Sequence, residues 1–288
     1  MFWRGVSALG FVLGAVQGLN LVPLALIAYR VLALPRGRAG IGAALARTFA
    51  GRGHELMLVA RREQKLRELA DEIAALGHPR PHVQPVDLER HDAVEQIAGA
   101  MARLGVEPEI VINNAGFGLL GTAVSLSRAE QLAMVDVNVR ALTDLSLAFV
   151  DALERRRGGI LNVASVAAFL PGPNMAVYYA TKAYVVSFSD ALHWELRSRG
   201  IRVTALCPGP VPTEFQARAG FTSDGSTDML TRSAERVARD GYRALQRGRR
   251  LAVPGFANRA TTIVTKFLPR RLLMAAVGRY NGRRIAQR

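Results

Sequence analysis

The chain has 288 residues, half of them hydrophobic, and carries a formal net charge of +15 with a single cysteine. Without an internal repeat or a long polar linker, this length fits one domain with extensions, and its apolar content suffices for a large core. One cysteine excludes an intramolecular disulfide and agrees with a reducing compartment; Cys207, in an apolar run, reads as a small buried residue.

Charge separates the middle of the chain from its ends. No Asp or Glu occurs before Glu55 or after Asp240. Between these positions twenty Lys and Arg face twenty-three acids, so the middle is close to neutral, while six basic residues precede it and twelve follow. Residues 5 to 28 are almost uninterruptedly apolar, long enough for a membrane-spanning helix by the rule of about 20 residues. A secretory signal fits less well, since no small-residue cleavage site is clear. Arg4 before the run and Arg30, Arg36 and Arg38 after it would orient the body to the cytoplasm. A hydrophobic helix packed on the body is the rival reading.

After Gly40 the pattern alternates helix and strand, as in a parallel sheet covered on both faces. Ile41 to Gly51 reads as a helix, Glu55 to Ala60 as a strand, Arg62 to Leu76 as a helix, and Val83 to Val86 as a short strand before Asp87. Asp92 to Leu104 follows as a helix, Ile110 to Asn113 as a strand, and Ser127 to Arg155 as a long helix carrying Asn138. Asn is a mediocre helix former, so Asn138 is either a tolerated surface residue or a functional one.

Gly159 to Ala164 reads as a buried strand whose end presents the Ser165 hydroxyl, and helical periodicity starts at Met175. Tyr178 and Lys182 then lie four apart on one helix face. A free tyrosine titrates near about 10, and a neighbouring ammonium lowers that value, making the phenol a usable acid or base. Tyr-x-x-x-Lys alone also fits a packed tyrosine beside a solvated lysine. A serine thirteen residues upstream, on a separate element, favours the catalytic reading.

Ser165, Tyr178 and Lys182 together resemble the active site of the short-chain dehydrogenase/reductase family. Further matches are Asn113-Asn114-Ala115-Gly116 after a strand, Asn138 in Val135 to Val139, and Pro208-Gly209 with Thr213 after the strand Val203 to Cys207. The resemblance covers roughly residues 30 to 255 and implies an α/β, doubly wound parallel sheet (Rossmann fold), flanked by a hydrophobic segment (1–29) and a basic amphipathic tail (256–288). It implies Tyr178 as the acid, Ser165 as the group orienting substrate oxygen, and Lys182 lowering the tyrosine pKa and holding the nicotinamide ribose. Asn138 would bend its helix and support a proton relay.

By the same resemblance the cofactor contacts are Gly37, Gly40, Ile41 and Gly42 in the glycine loop, Arg61 and Arg62, Asp87 and Leu88 at the adenine, Asn114, Ala115 and Gly116, then Pro208, Gly209 and Thr213. No acid follows the Glu55 to Ala60 strand, and Arg61 and Arg62 match a 2′-phosphate, so NADP(H) is expected over NAD. The two arginines opening a solvated helix, and Asp87 capping one, are the plainer readings. The glycine loop departs from the family pattern: Pro35-Arg36 stands where Thr-Gly is expected, and the first core strand should fall at about 30–34. Matches become continuous only from Gly40. A replaced N-terminus with a weakened cofactor loop, even a catalytically silent membrane-associated protein, is therefore the alternative.

Residues from Pro210 to about Thr231 fall where the family places its substrate lid. Ala167, Phe169, Leu170, Phe215 and Phe221 would line an apolar cleft for a hydrophobic ketone or secondary alcohol, although ordinary packing would use the same residues. The tail joins apolar stretches, Phe256 to Leu268 and Leu272 to Val277, to basic residues around Pro269, which favours a membrane surface over nucleic acid. A homo-oligomer is left open.

Overall fold

The structure, a computed structural model, describes residues 22–28, 40–212 and 230–286, with backbone alone for 22–28 and 286. Seven strands form one sheet in the order β3-β2-β1-β4-β5-β6-β7. They are β1 (Val22–Ala28), β2 (Glu55–Ala60), β3 (His82–Pro85), β4 (Val106–Asn113), β5 (Gly159–Val163), β6 (Arg202–Leu206) and β7 (Leu251–Ala252). Every pairing is parallel.

Alternation along each strand sends successive side chains to opposite faces, and the helices cover both. Ile110 and Ile112 join Leu45, Phe49 and Leu66 beneath α1 (Ile41–Ala50) and α2 (Glu63–Ala75), where α8 (Ala234–Gln246) also packs. Val111 joins Ile97, Val137 and Leu192 on the other face, beneath α3 (Ala93–Leu104), the 128–155 helical stretch and α7 (Ala176–Leu196). Strand order reverses between β1 and β4, so the crevice at the carboxyl ends of these strands is where such a sheet receives a dinucleotide.

The first strand corrects the sequence reading. It lies at Val22–Ala28, not at about 30–34, and takes up the last seven residues of the apolar run read as a spanning helix. β1 pairs with β2 from Leu24↔Glu55 to Ala28↔Val59 and with β4 from Val22↔Val106 to Ala28↔Asn113. A central strand covered on both faces is as continuously apolar as a membrane helix, so composition alone does not separate them. The sheet domain therefore begins by residue 22 rather than 30, and the segment that departs from the family pattern supplies an interior strand. Among the described residues no helix is long and apolar enough to cross a membrane.

Two further differences have local causes. β4 starts at Val106, before the expected Ile110, because Pro108 is accommodated by a register shift between Leu24 and Ala25 and precedes the first pairing with β5 at Ile110↔Gly159. The long helix is interrupted: α4 (Arg128–Val135) runs into a π-helical turn at Asp136–Ala141, then α5 (Leu142–Ala148) and α6 (Val150–Arg155). Beyond β7, α9 (Phe256–Val264) and α10 (Arg270–Ala286) flank Pro269. The tail is thus built into the body on one side, with Leu273, Asn281 and Arg284 buried.

Candidate active site

β5 ends at Val163, and the chain leaves it so that Ser165, in an extended conformation, caps a short 3₁₀ turn at Val166–Phe169 by accepting from the Ala167 amide at 3.1 Å. Tyr178 and Lys182 lie on the first turns of α7, both buried, at 8% and 5% exposure. The Tyr178 hydroxyl is hydrogen-bonded to Ser165. Serine and tyrosine are brought together as expected.

Burial pushes the Tyr178 phenol above its ordinary value, and the Ser165 hydrogen bond offsets this only in part. Burial also drives the Lys182 ammonium from 10.5 to about 8, and its Nζ donates to the Val163 carbonyl at 2.8 Å. Helical spacing places the pair on one face, where burial disfavours the charged form of each. A phenol held neutral is a proton donor. Cys207, buried at the end of β6, is pushed up to about 12 and is chemically quiet.

The π-helical turn has two jobs. It turns Asn138 inward, where the amide donates to the Phe117 carbonyl at 2.9 Å and Thr181 Oγ1 at 3.1 Å while Oδ1 accepts from the Phe117 amide at 3.1 Å. It also aims Arg140 at the carbonyls of Leu88, Glu89 and Arg90, at 3.2, 2.9 and 3.0 Å. Asn138 therefore fastens the loop after β4 and Arg140 fastens the loop after β3. Gly116 lies where a Cβ would stand 2.9 Å from Asn138 Oδ1 and 3.4 Å from Lys182 Nζ, so the backbone passes this point only as glycine.

Whether these residues fit a dinucleotide is tested by the crevice itself. Ala60, Arg61, Val86, Asp87, Leu88, Ala115 and Val137 line one pocket at the carboxyl ends of β2 and β4, with a carboxylate among its lining groups. Asp87 Oδ1 accepts from the Glu89 amide at 3.1 Å, and the Arg61 guanidinium lies 3.6 Å from Asp87 and 3.1 Å from Glu89. Arg62 opens α2 and is half-buried. Gly40, Ile41 and Gly42 form the start of α1, which has no acid in its first turn and no side-chain cap, an arrangement suited to a pyrophosphate. Asn114 and Ala115 follow β4 directly. The set fits. Gly37 and Thr213 lie outside the described residues, as do Phe215 and Phe221.

Pro208 and Gly209 follow β6. The Pro208 carbonyl accepts from the Val166 amide at 3.0 Å, tying this loop to the turn behind Ser165. Gly209 is pressed under the buried Asn258 of α9, whose side chain bonds the Leu230 and Pro254 carbonyls; a Cβ there would come within 2.3 Å of Asn258 Oδ1. Ala167 is buried and Phe169 and Leu170 half-buried beside Ser165, consistent with an apolar wall.

Sequence reasoning missed several supports. Asn113, Asn162 and Ser189 form a buried chain across β4, β5 and α7, through contacts of 2.8 Å (Asn113 to Asn162) and 2.9 Å (Asn162 to Ser189). Asn162, a polar residue in the middle of an apolar strand, was its legible signal. Arg140 and Asn281 carried no comparable signal, because the backbone carbonyls they hold are distant in sequence. Asn281 of α10 donates to the Pro173 carbonyl at 2.9 Å and bonds Tyr179, and Asn174 donates to Gly278, so α10 braces the loop that leads into α7.

A family model described as short chain dehydrogenase matches residues 36–222, well over half of the chain. The chain belongs to this family. Sulfoacetaldehyde reductase 2 of Chromohalobacter salexigens is 33% identical over 196 residues, 67% of this chain and 77% of that protein. A short-chain dehydrogenase from Sphingobium yanoikuyae in complex with NADPH superposes with a TM-score of 0.70 at 30% identity, covering 88% of this chain and 96% of that one. The 3-ketoacyl-(acyl-carrier-protein) reductase of Brucella melitensis, complexed with NADH, gives 0.69 at 26% identity over 81% and 96%. Short-chain dehydrogenases of this kind are oxidoreductases that use a nicotinamide cofactor on alcohol and carbonyl groups, and this chain is one of them.

Proposed function

We propose that this chain passes hydride between NADP(H) and a hydrophobic ketone or secondary alcohol, with Tyr178 as the proton donor in reduction. The observation that carries the reading is the buried phenol, kept neutral and hydrogen-bonded to Ser165 at the end of β5. When bound, the nicotinamide supplies the hydride. Tyr178 gives its proton to the carbonyl oxygen, Ser165 holds that oxygen against the phenol, and Lys182 presents a cation to the ribose side of the crevice. Asn138 acts through the Phe117 loop and Thr181, keeping Gly116 at its narrow passage.

Preference for NADP(H) is supported by Arg61 and Arg62 after β2, where an NAD-selective site would carry an acid. The NADPH-bound relative is compatible with it and the NADH-bound relative leaves the choice to these residues. Arg61 already serves Asp87 and Glu89, so Arg61→Ala should weaken NADPH by about 1.5 kcal/mol, the low end for a charge-assisted contact, and leave NADH nearly unchanged. Titration of both cofactors checks this, and equal losses would remove the 2′-phosphate argument. The apolar wall of Ala167, Phe169 and Leu170 supports a hydrophobic substrate. A panel of ketones graded from polar to apolar tests it, with turnover expected to rise with apolar size; turnover confined to small polar carbonyls would contradict it.

A further inference from the structure

We infer that the outer face of α9, α10 and the turn joining them docks on anionic lipid bilayers. Phe256 is 86% exposed and Phe267 82%, and Ile263, Val264, Leu268 and Leu272 stand out beside them. Phe256 and Ile263 are seven residues apart, and Phe267 continues the row eleven residues on, so these apolar groups share one side. This is not the appearance of a tail that failed to pack. α10 buries Leu273, Asn281 and Arg284, and Asn281 ties it to Pro173, so the inner face is used and the outer one remains.

Charge decides what covers the outer face. Residues 256–286 hold seven Lys and Arg and no acid, with Lys266, Arg270 and Arg271 exposed around the Phe267-Leu268 turn. A second copy of the same face would bring its own exposed cations against these, with no acid in the segment to neutralise them. Nucleic acid would satisfy the cations but leave the phenyl and aliphatic groups in water. A bilayer surface of negative lipids meets both needs: its phosphates pair with the cations and its acyl boundary takes the apolar row. The docking does not depend on the reaction, and its test reads binding alone.

The full chain is sedimented with vesicles of phosphatidylcholine, with and without phosphatidylglycerol. It is expected to follow the anionic vesicles and to be released as salt rises. Replacing Lys266, Arg270 and Arg271 together by Gln should weaken this binding roughly a hundredfold. Phe256→Ser with Phe267→Ser should weaken it as well, and both sets should keep the parent's thermal melting, since none of these side chains is buried. Failure of the parent to bind anionic vesicles would overturn the inference, as would parent-like vesicle binding by both variant sets. So would dimerisation through these residues, or capture of nucleic acid in preference to vesicles.

Discussion

Tyr178 and Lys182 are both buried, and burial disfavours the charged form of each. Burial drives the Lys182 ammonium from 10.5 down to about 8. Between those values the unfolded chain holds a proton that the fold does not, so stability rises with pH across that window and the full cost of the buried cation is borne below it. Lys182→Met removes the titration. Unfolding measurements should therefore show the parent gaining on this variant as pH climbs through the window named, and a flat difference would mean the lysine is not desolvated. Gly116 is a second residue whose role is geometric. A Cβ at 2.9 Å from Asn138 Oδ1 cannot be relieved cheaply, because Asn138 is held by three contacts to Phe117 and Thr181. Gly116→Ala should cost about 1–3 kcal/mol in denaturant unfolding and weaken NADPH in titration; a variant equal to the parent in both would remove the narrow-passage argument.

Among the elements, α1 to α3 were legible because each is amphipathic and ends at a turn glycine, Gly51, Gly77 and Gly105, and β2 because an apolar run follows Gly53. Ser165 and Tyr178 were legible from their places after a strand and on a helix, and Asn138 and the loop after β4 through the family resemblance. β1 was not, since a two-sided buried strand and a membrane helix share one composition, and only its pairing to β2 and β4 tells them apart. The bracing of the catalytic loop by α10 was equally hidden, because Asn281 and Pro173 are 108 residues apart. Asn281→Ala should destabilise the fold by about 1–3 kcal/mol through the unpaired Pro173 carbonyl and lower turnover more than it changes cofactor affinity. Unfolding curves and steady-state kinetics check this, and a kinetically silent variant would make the brace merely structural.

For the molecule as a whole, charge and chemistry are separated. The sheet carries the crevice and the near-neutral middle of the chain, whereas the last helices carry cations without a single acid. Composition showed this division plainly, yet it did not show that the basic end is also a wall behind the catalytic loop. Central to the chemistry is a neutral, Ser165-bound Tyr178 giving a proton within an intact crevice. The most direct measurement is the rate at which the full chain consumes NADPH with apolar ketones, beside Tyr178→Phe. The parent should turn over and the variant should lose turnover by about a hundredfold or more while still folding and still binding NADPH. Comparable turnover by the two chains, or none by a parent that binds NADPH, would contradict it.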